Sequence, residues 1–312
     1  GKQGWRSPTR SSSCSILSIA VLFASVEPLQ AFLPLHCRHV SPSIRGPCCS
    51  PRPLSTVACH RRCSELRTRI NMVNEQLPIV TLKIALDENG AVDDLGITSK
   101  RFTSEQSLDA VHRLRRCSDA VLVGIGTVVR DDPSLTVRRV PLLEGREQPL
   151  RAVIDPSLKI EAHCKVMRDG YKTVIFHSDS DEVDKRRIQL ISELEATNQV
   201  SFIPTPTNQH RSLDLTSILG ELSNLGVKEL MLEGGPATVK RFLQQKLVDR
   251  AIVIVAPIKF DQLPVPSLID HHVLKAAGLA LLGEHQDWGK DSVSLWSKAQ
   301  LQWPSPVISE WP

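Results

Sequence analysis

The sequence predicts an α/β fold with a mainly parallel sheet and helices on both faces. Short apolar runs rich in β-branched residues, such as residues 120–123 and 251–256, alternate with segments of helical periodicity. Two of the apolar runs end in glycine turns, at Gly124 and at Gly234. Strands that alternate with helices favour parallel pairing, because each helix carries the chain back across one face of the sheet.

The elements follow one another without an interdomain linker or an internal repeat after Leu77. A β-rich run over residues 78–86 ends in a D-E-N-G turn. Thr103 and Gln106 form a capping-box pattern that predicts a helix to about Cys117. Further strands are predicted at residues 120–123, 151–155, 173–176, 200–203, 229–232 and 251–256, and further helices at residues 181–196, 213–225 and 236–247. Residues 293–296 and 301–303 predict an antiparallel C-terminal hairpin.

Residues 1–72 differ in composition from residues 73–312, which we expect to fold. The first segment has ten Lys and Arg against Glu27 and Glu65, a formal charge of +8, whereas the remaining 28 basic and 32 acidic residues give −4. A slightly acidic body gives no support for a nucleic-acid partner. Six of the eight cysteines also lie in residues 1–72, so the body is typical of a reduced, intracellular protein. The Cys59–Cys63 pair lacks a second ligand pair, and we predict no metal site.

Residues 1–72 are interpreted as a disordered targeting presequence. Arg6 and Arg10 precede an apolar run over residues 16–26, which has the length of a signal-peptide core and is too short to span a bilayer. The Arg- and Ser-rich, acid-poor segment that follows residues 31–32 is similar to a transit peptide. A signal peptide joined to a transit peptide resembles the plastid presequence of algae with secondary plastids; a secretory or a mitochondrial destination is the alternative. We expect no membrane contact in the mature protein.

The two glycine turns are the candidate binding elements. The run D-A-V-L-V-G-I-G-T-V-V-R over residues 119–130 is a strand that feeds a glycine turn, and E-G-G-P at residues 233–236 opens a helix. Free N–H groups at a helix N-terminus attract phosphate. The third glycine of the dinucleotide fingerprint is absent, because Val129 stands in its place. Simple turn chemistry therefore remains an alternative for the turn at Gly124 taken alone, and the second glycine turn favours a binding role.

Several motifs in one order resemble the reductase domain of riboflavin biosynthesis over about residues 78–260. They are V-T-L-K (80–83), F-T-S (102–104), V-H-R-L-R (111–115), D-A-V-L-V-G-I-G-T-V (119–128), D-D-P-S-L-T-V-R (131–138), L-E-G-G-P (232–236), L-V-D-R (247–250) and V-A-P-I (255–258). The resemblance implies a dihydrofolate-reductase-like fold, a homodimer and NADPH as cofactor. It also implies a phosphorylated substrate, 5-amino-6-(5-phosphoribosylamino)uracil, whose ribosyl group is reduced to a ribityl chain.

The resemblance assigns roles to residues at matching positions. The implied cofactor contacts are Ala85, Thr127, Asp131, Gly235, Pro236, Ala237 and Thr238. The implied substrate contacts are Ser99, Arg115, Leu135, Arg138 and Glu233. The two arginines suit a phosphate, because a guanidinium fork binds its oxygens in pairs. Lys83 is the candidate catalytic residue, which would polarise the sugar oxygen or the imine; a solvated strand-end lysine is the alternative.

Three departures from the family pattern leave other functions open. Arg101 stands where an aromatic residue is common, Pro156 where a small hydroxyl residue is common, and residues 259–261 replace a glycine. The zinc-deaminase motifs H-x-E and P-C-x-x-C are absent from this sequence, so it resembles a reductase alone. The alternatives are a reductase of the still-aminated pyrimidine or of another pterin or pyrimidine, and a catalytically silent nucleotide-binding relative.

Overall fold

The computed structural model describes residues 77–96, 102–194, 199–208, 212–299 and 301. The strands are β1 Ile79–Leu86, β2 Ala91–Asp94, β3 Ala120–Gly124, β4 Leu150–Ile154, β5 Thr173–Ser178, β6 Val200–Thr205, β7 Glu229–Leu232, β8 Arg250–Val255, β9 Pro264–Pro266, β10 Ala280–Leu281, β11 Gln286–Trp288 and β12 Asp291–Ser297. The helices are α1 Glu105–Cys117, α2 Ile125–Asp131, α3 Lys165–Arg168, α4 Asp181–Glu193, α5 Leu215–Asn224, α6 Pro236–Gln244 and α7 His271–Ala276.

The main sheet is mostly parallel, as predicted. Its strand order is β10-β12-β8-β1-β7-β3-β4-β5-β6, and β11 also pairs with β12. All pairs from β8 to β6 are parallel, whereas β12 runs antiparallel to β8. The strands β1, β7 and β3 are neighbours, so their carboxyl ends meet at one edge of the sheet. In parallel sheets, ligands bind at this edge.

Helices cover both faces of the sheet, which confirms the predicted arrangement. On one face, Leu82 of β1 and Leu122 of β3 belong to an apolar cluster that includes Ile218 of α5 and Phe242 of α6. On the other face, a second cluster joins alternate residues of the same strands to α1, α3 and α4; its members include Val121, Val153, Val111, Leu114, Met167 and Leu190. A parallel sheet needs such cover, because its strands are apolar on both faces.

The C-terminal hairpin differs from the predicted one in its partner strand. Residues 293–296 do form a strand, but β12 pairs with β11, which precedes it, through a turn at Gly289 and Lys290. Leu301 is a bend, and residues 302–303 lie outside the described residues. The antiparallel hairpin is confirmed, but its partner strand β11 was not predicted, because three residues are too few to show an alternating pattern. The small sheet of β2 and β9, the helix α7 and the strand β10 were also not predicted.

Two helices differ in detail from the sequence prediction. Helix α1 has Ser104 as its N-cap, whose hydroxyl accepts a hydrogen bond from the N–H of Ser107, so the capping box at Thr103 was wrong by one residue. Helix α4 buries Leu190 but leaves Ile188 and Ile191 62% and 49% exposed. Its apolar residues therefore extend beyond the side that faces the sheet.

Residues 1–76, including the predicted presequence, lie outside the described residues. Within the described part of the chain, every helix is too short or too polar to cross a membrane.

Candidate active site

The two glycine turns meet at the carboxyl edge of the sheet. Strands β3 and β7 are parallel neighbours, and Gly124 and Gly235 are the N-cap residues of α2 and α6. A Cβ atom added at Gly124 would lie 2.4 Å from Oγ1 of Thr238, and one added at Gly235 would lie 3.4 Å from Oγ1 of Thr127. The first turns of the two helices are thus packed against each other, and glycine is needed at Gly124 for this close approach.

The helix N-termini at this junction fit a dinucleotide phosphate. Helix α6 begins with Pro236, which has no N–H, and continues with Ala237, which is exposed. The N–H of Thr238 donates to the carbonyl of Gly235 at 3.1 Å, so the candidate donors are the N–H groups of Gly235 and Ala237. Together with the helix dipole, such N–H groups stabilise an anion. A Cβ atom added at exposed Gly126, in the first turn of α2, would meet nothing within 4 Å. The junction therefore has open space next to its donors.

Helix α2 presents two of the implied cofactor residues on one side. Thr127 and Asp131 are four residues apart and so lie one turn apart on the helix surface. Thr127 is partly buried beside Gly235, whereas Asp131 is exposed. The helix is tied to β2 by Arg130, whose Nε donates to Oδ2 of Asp93 at 2.9 Å. The helix that holds Thr127 and Asp131 is thereby fixed to β2.

A buried ion pair lies next to Lys83. The face of the sheet that α1 covers carries Lys83 of β1 and Glu233, the residue that follows β7. Arg115 of α1 donates from Nε to Oε1 of Glu233 at 2.5 Å and from Nη2 to Oε2 at 2.7 Å. The two side chains are 10% and 11% exposed. Nη1 of Arg115 donates to the carbonyl of Thr136 at 3.2 Å. Lys83 is partly buried beside this pair.

The three charges change one another's proton affinity. Burial lowers the pKa of Lys83; the Glu233 carboxylate opposes this effect and the Arg115 charge adds to it. Burial would raise the pKa of Glu233, but the charges of Arg115 and Lys83 outweigh burial and hold that pKa below its usual value. Attraction to Glu233 likewise keeps the pKa of Arg115 above its usual value in spite of burial. Glu233 is therefore a carboxylate, and Lys83 releases its proton more readily than an exposed lysine.

His112 connects α1 to the loop that carries Leu135 and Arg138. Its Nδ1 accepts a hydrogen bond from the backbone N–H of Arg138 at 3.0 Å. Burial lowers the pKa of His112 to about 4, and the charges of Arg115 and Arg138 add to the shift. The ring is thus neutral at pH 7, as an acceptor must be. Leu135 is buried with φ at +54°, a strained conformation for leucine.

The structure brings together most of the residues that the sequence predicted. Lys83, Arg115 and Glu233 form one group, and Thr127 lies beside Gly235. Ala85 follows Lys83 on the same face of β1, and the guanidinium of Arg138 is exposed and donates to Oγ of Ser134 at 3.2 Å. Ser99 and Arg101 lie outside the described residues.

Arg115 has a partner that the sequence did not predict, and its role as a substrate contact stays a prediction. We expected its guanidinium fork to bind a substrate phosphate, but Glu233 occupies the fork. The contacts of His112 and Thr136 were not predicted from the sequence. The position of His112 on α1, three residues before Arg115, was a usable signal, because residues at this spacing share a side of the helix.

Another cleft lies at the opposite edge of the sheet. It has a volume of about 500 Å³ and is lined by residues at the amino ends of β4, β5 and β6, among them Lys172 and Gln199. It contains none of the groups described above, and parallel sheets bind ligands at the carboxyl edge. In the described ranges, no group of three or more His, Cys, Asp or Glu could hold a metal ion.

A family model described as the RibD C-terminal domain matches residues 78–284. The chain belongs to this family. It is 34% identical over 193 residues to the 2,5-diamino-6-ribosylamino-4(3H)-pyrimidinone 5′-phosphate reductase of Methanothermobacter thermautotrophicus. That alignment covers 62% of this chain and 84% of that protein. It is 35% identical over 187 residues to the riboflavin biosynthesis protein RibD of Aquifex aeolicus. That alignment covers 59% of this chain and 48% of that protein. The chain thus spans about half the length of that RibD relative.

Solved structures of RibD proteins share the fold. Acinetobacter baumannii RibD superposes with a TM-score of 0.58 at 23% identity, covering 76% of this chain and 64% of that chain. The Saccharomyces cerevisiae riboflavin biosynthesis reductase Rib7 superposes with a TM-score of 0.54 at 19% identity, covering 72% of this chain and 90% of that chain. The predicted α/β fold class is confirmed, because the mostly parallel sheet of this chain superposes on these solved structures.

Proposed function

We propose that this RibD-family chain is an NADPH-dependent reductase of riboflavin biosynthesis. Its reaction converts the ribosyl group of 5-amino-6-(5-phosphoribosylamino)uracil to the ribitylamino chain. The observation that carries the proposal is the group of Lys83, Arg115 and Glu233 at the same sheet edge as the two glycine turns. Two relatives, of which the chain covers 84% and 86%, are named as 5′-phosphate reductases of a ribosylamino-pyrimidinone.

The glycine turns supply the cofactor half of the proposed site. The N–H groups of Gly235 and Ala237 bind the pyrophosphate at the start of α6, next to Pro236 and Thr238. Thr127 and Asp131 contact the cofactor from α2. When bound, NADPH supplies the hydride. The protein's contribution is to hold the nicotinamide against the sugar carbon and to exclude water.

Lys83 supplies a proton in the proposed reaction. Reduction of the ribosyl group requires the bond between C1′ and the ring oxygen to break, with the nitrogen lone pair forming a C1′=N bond. The ring oxygen takes a proton from Lys83 and becomes a hydroxyl group, and the hydride then adds to C1′. The lowered pKa of Lys83 makes this transfer easier, and the adjacent Glu233 carboxylate stabilises the ammonium form. Exposed Arg138 contacts the substrate phosphate.

A second candidate substrate is the still-aminated pyrimidine. The two relatives with high coverage are both named for a 2,5-diamino compound, which favours this candidate. The two substrates differ by one exocyclic group on the pyrimidine ring, so the reducing residues have the same roles for either substrate.

An assay of the full chain with both pyrimidines and both nicotinamide cofactors tests the proposal. Loss of the reduced-nicotinamide absorbance is followed for each of the four combinations. We expect turnover with NADPH, and the pyrimidine with the higher kcat/KM is the substrate. Cofactor binding without turnover of either pyrimidine would show a catalytically silent relative or a reductase of another substrate, and the proposal would be withdrawn.

We also propose a plastid location and a homodimer. The presequence composition of residues 1–72 supports the location, with the secretory pathway or the mitochondrion as the alternative. Microscopy of a fluorescent reporter fused to residues 1–72 decides between these destinations. The dimer rests on the family resemblance, and light scattering at micromolar concentration measures it.

A further inference from the structure

The hairpin of β11 and β12 contacts the N-terminus of α1. This hairpin lies beyond residues 78–284, where the family model matches. Its two-residue turn has Gly289 at φ +67°, the backbone that such a turn requires at its first position. A Cβ atom added at Gly289 would lie 3.1 Å from Oγ of Ser104 and 3.0 Å from Oε1 of Gln106. The turn is therefore packed directly against the start of the helix.

Asp291 of the hairpin caps α1. Its Oδ2 accepts hydrogen bonds from the backbone N–H of Ser104 at 2.7 Å and from the hydroxyl of Ser107 at 2.6 Å. The hydroxyl of Ser104 donates to the carbonyl of Trp288 at 2.6 Å. Asp291 and Ser107 are fully buried. Hydrogen bonds to a buried carboxylate are stronger than those between neutral groups, so this contact fixes the helix end firmly.

The hairpin also supplies part of the apolar surface beneath α1. Val293 and Leu295 of β12 are buried in the same apolar cluster as Val111 and Leu114 of α1. The helix is thus held by the hairpin at its first turn and along one side.

Helix α1 carries the residues that organise the substrate half of the site. Arg115 holds Glu233 next to Lys83, and His112 holds the backbone of Arg138. We propose that Asp291 is a positioning residue for the active site: by fixing the first turn of α1, it sets the place of Arg115 and His112. The kinetic effect that we expect from this role of Asp291 rests on the proposed function.

Loss of the Asp291 contact should weaken the binding of the pyrimidine and not that of the nicotinamide cofactor. The glycine turns that form the cofactor half follow β3 and β7 and open α2 and α6, whereas the hairpin holds α1. Loosening α1 withdraws the guanidinium of Arg115 from the Glu233 side chain and withdraws His112 from the loop with Arg138, while the backbone of the glycine turn stays in place. The affinity for the pyrimidine then falls while the affinity for the nicotinamide cofactor is kept.

Steady-state kinetics of full-length Asp291→Ala tests the proposal, with Asp287→Ala as the matched control. Asp287 lies on β11 of the same hairpin and is exposed. Because two charge-assisted hydrogen bonds are lost, we expect the KM for the pyrimidine to rise by about ten-fold in Asp291→Ala. The KM for NADPH stays within about two-fold in both variants, and Asp291→Asn, which keeps an acceptor oxygen, restores most of the pyrimidine affinity.

Hydrogen exchange of the ligand-free protein separates positioning from a local cap. We expect faster exchange in Asp291→Ala over the whole of α1, including the turn with Arg115. Faster exchange confined to the first turn, or equal changes in both KM values, would overturn the proposal. If Asp291→Ala does not fold, Ser107→Ala, which removes one of the two hydrogen bonds, is measured in the same way. If the wild-type chain reduces neither pyrimidine, the proposed function fails, and exchange at Arg115 still decides the role of Asp291.

Discussion

At the scale of single residues, Lys83 is expected to control the chemical step. As a proton donor it must be protonated, and its pKa lies below the usual value of 10.5. We therefore expect kcat to fall as the pH rises through that lowered pKa. Lys83→Met should reduce kcat by roughly 10²- to 10⁴-fold, the usual contribution of a positioned acid. Pre-steady-state and steady-state rates across pH measure both effects.

The control for Lys83 is Lys240→Met, because Lys240 is an exposed lysine on α6. That change should leave kcat unaltered. If Lys83→Met keeps the wild-type kcat and changes only the melting temperature, Lys83 is a structural lysine and the proposed proton transfer is wrong.

His112 makes folding stability depend on pH in a defined window. Its pKa is about 4 in the folded protein against an ordinary value of 6.5. Between these values the unfolded chain binds more protons than the folded one, so the free energy of unfolding rises with pH. The stabilisation is complete above pH 6.5 and is lost as the pH falls to about 4. Urea unfolding at pH 7, 5.5 and 4.5 measures this slope.

His112→Gln should flatten the slope, because the amide oxygen still accepts from Arg138 but does not titrate. His272→Gln, at an exposed position on α7, serves as the control and should leave the slope unchanged. An unaltered slope in His112→Gln would mean that other groups cause the pH dependence. Glu233 changes the folding stability in a lower pH range. Its pKa in the folded protein is held below the ordinary value of 4.5, so its stabilisation is complete above pH 4.5 and is lost as the pH falls through the lowered pKa.

Asp131 and Arg138 are expected to affect different ligands. Asp131 lies on α2 on the side of Thr127, and Arg138 lies beyond the strained Leu135. Asp131→Ala should raise the KM for NADPH, and Arg138→Ala should raise the KM for the pyrimidine. A lost charge-assisted hydrogen bond corresponds to about ten- to a hundred-fold in binding. Steady-state kinetics with each substrate varied in turn measure both constants.

Arg168→Ala is the control for the loss of an exposed arginine. If Asp131→Ala and Arg138→Ala each lower the melting temperature and shift both KM values alike, the two residues stabilise the turn together. Their assignment to separate ligands would then be withdrawn.

The sequence predicted the identity of many candidate site residues but not how they contact one another. Arg115 and Glu233 are 118 residues apart in the chain, and nothing local shows that they pair. The resemblance therefore placed both as substrate contacts, although Arg115 donates to Glu233 and to the carbonyl of Thr136. The role of His112 depends likewise on a loop 26 residues away.

At the scale of elements, the packing of the two glycine turns can be tested with Gly124. A methyl group at Gly124 would meet Oγ1 of Thr238 at 2.4 Å, so one of the two helix starts must move. Overpacking of this kind costs about 1–3 kcal/mol. We expect Gly124→Ala to lower the melting temperature, measured by calorimetry, and Thr238→Ala in the same chain to restore part of the loss.

Gly126→Ala is the comparison, because a methyl group at Gly126 meets nothing within 4 Å. The melting temperature of Gly126→Ala should equal or slightly exceed that of the wild type, because alanine favours the helix more than glycine does. An equal loss in both alanine variants would show that the cost comes from the glycine backbone and not from contact with Thr238.

Strands that form apolar runs of four or more residues were predictable, and strands of two or three residues were not. The strands at Glu229–Leu232 and Arg250–Val255 agree with the strands predicted from the sequence, because both are apolar runs bounded by turn signals. By contrast, β9, β10 and β11 have two or three residues each. Strands of this length are set by the neighbour with which they pair, and no local pattern marks them.

At the scale of the whole molecule, the start of the fold determines which part of the chain can be removed. Strand β1 begins at Ile79 and lies between β7 and β8, paired with both. The family match begins at residue 78. Residues 1–72 have the composition of a presequence and no periodic apolar pattern beyond residues 16–26. The boundary at residue 72 stays a prediction, which rests on the change in composition there.

We expect the chain of residues 73–312 to unfold in one cooperative thermal transition at the melting temperature of the full chain. The matched control is the chain of residues 84–312, which lacks the part of β1 that pairs with β7, from Ile79 to Leu82. Without that part, the centre of the sheet loses its hydrogen bonds and the apolar cover of Leu82, so the shorter chain should not fold. Calorimetry and near-UV circular dichroism compare the two. A molten or insoluble 73–312 chain would show that residues 1–72 belong to the fold, and the presequence interpretation would then be wrong.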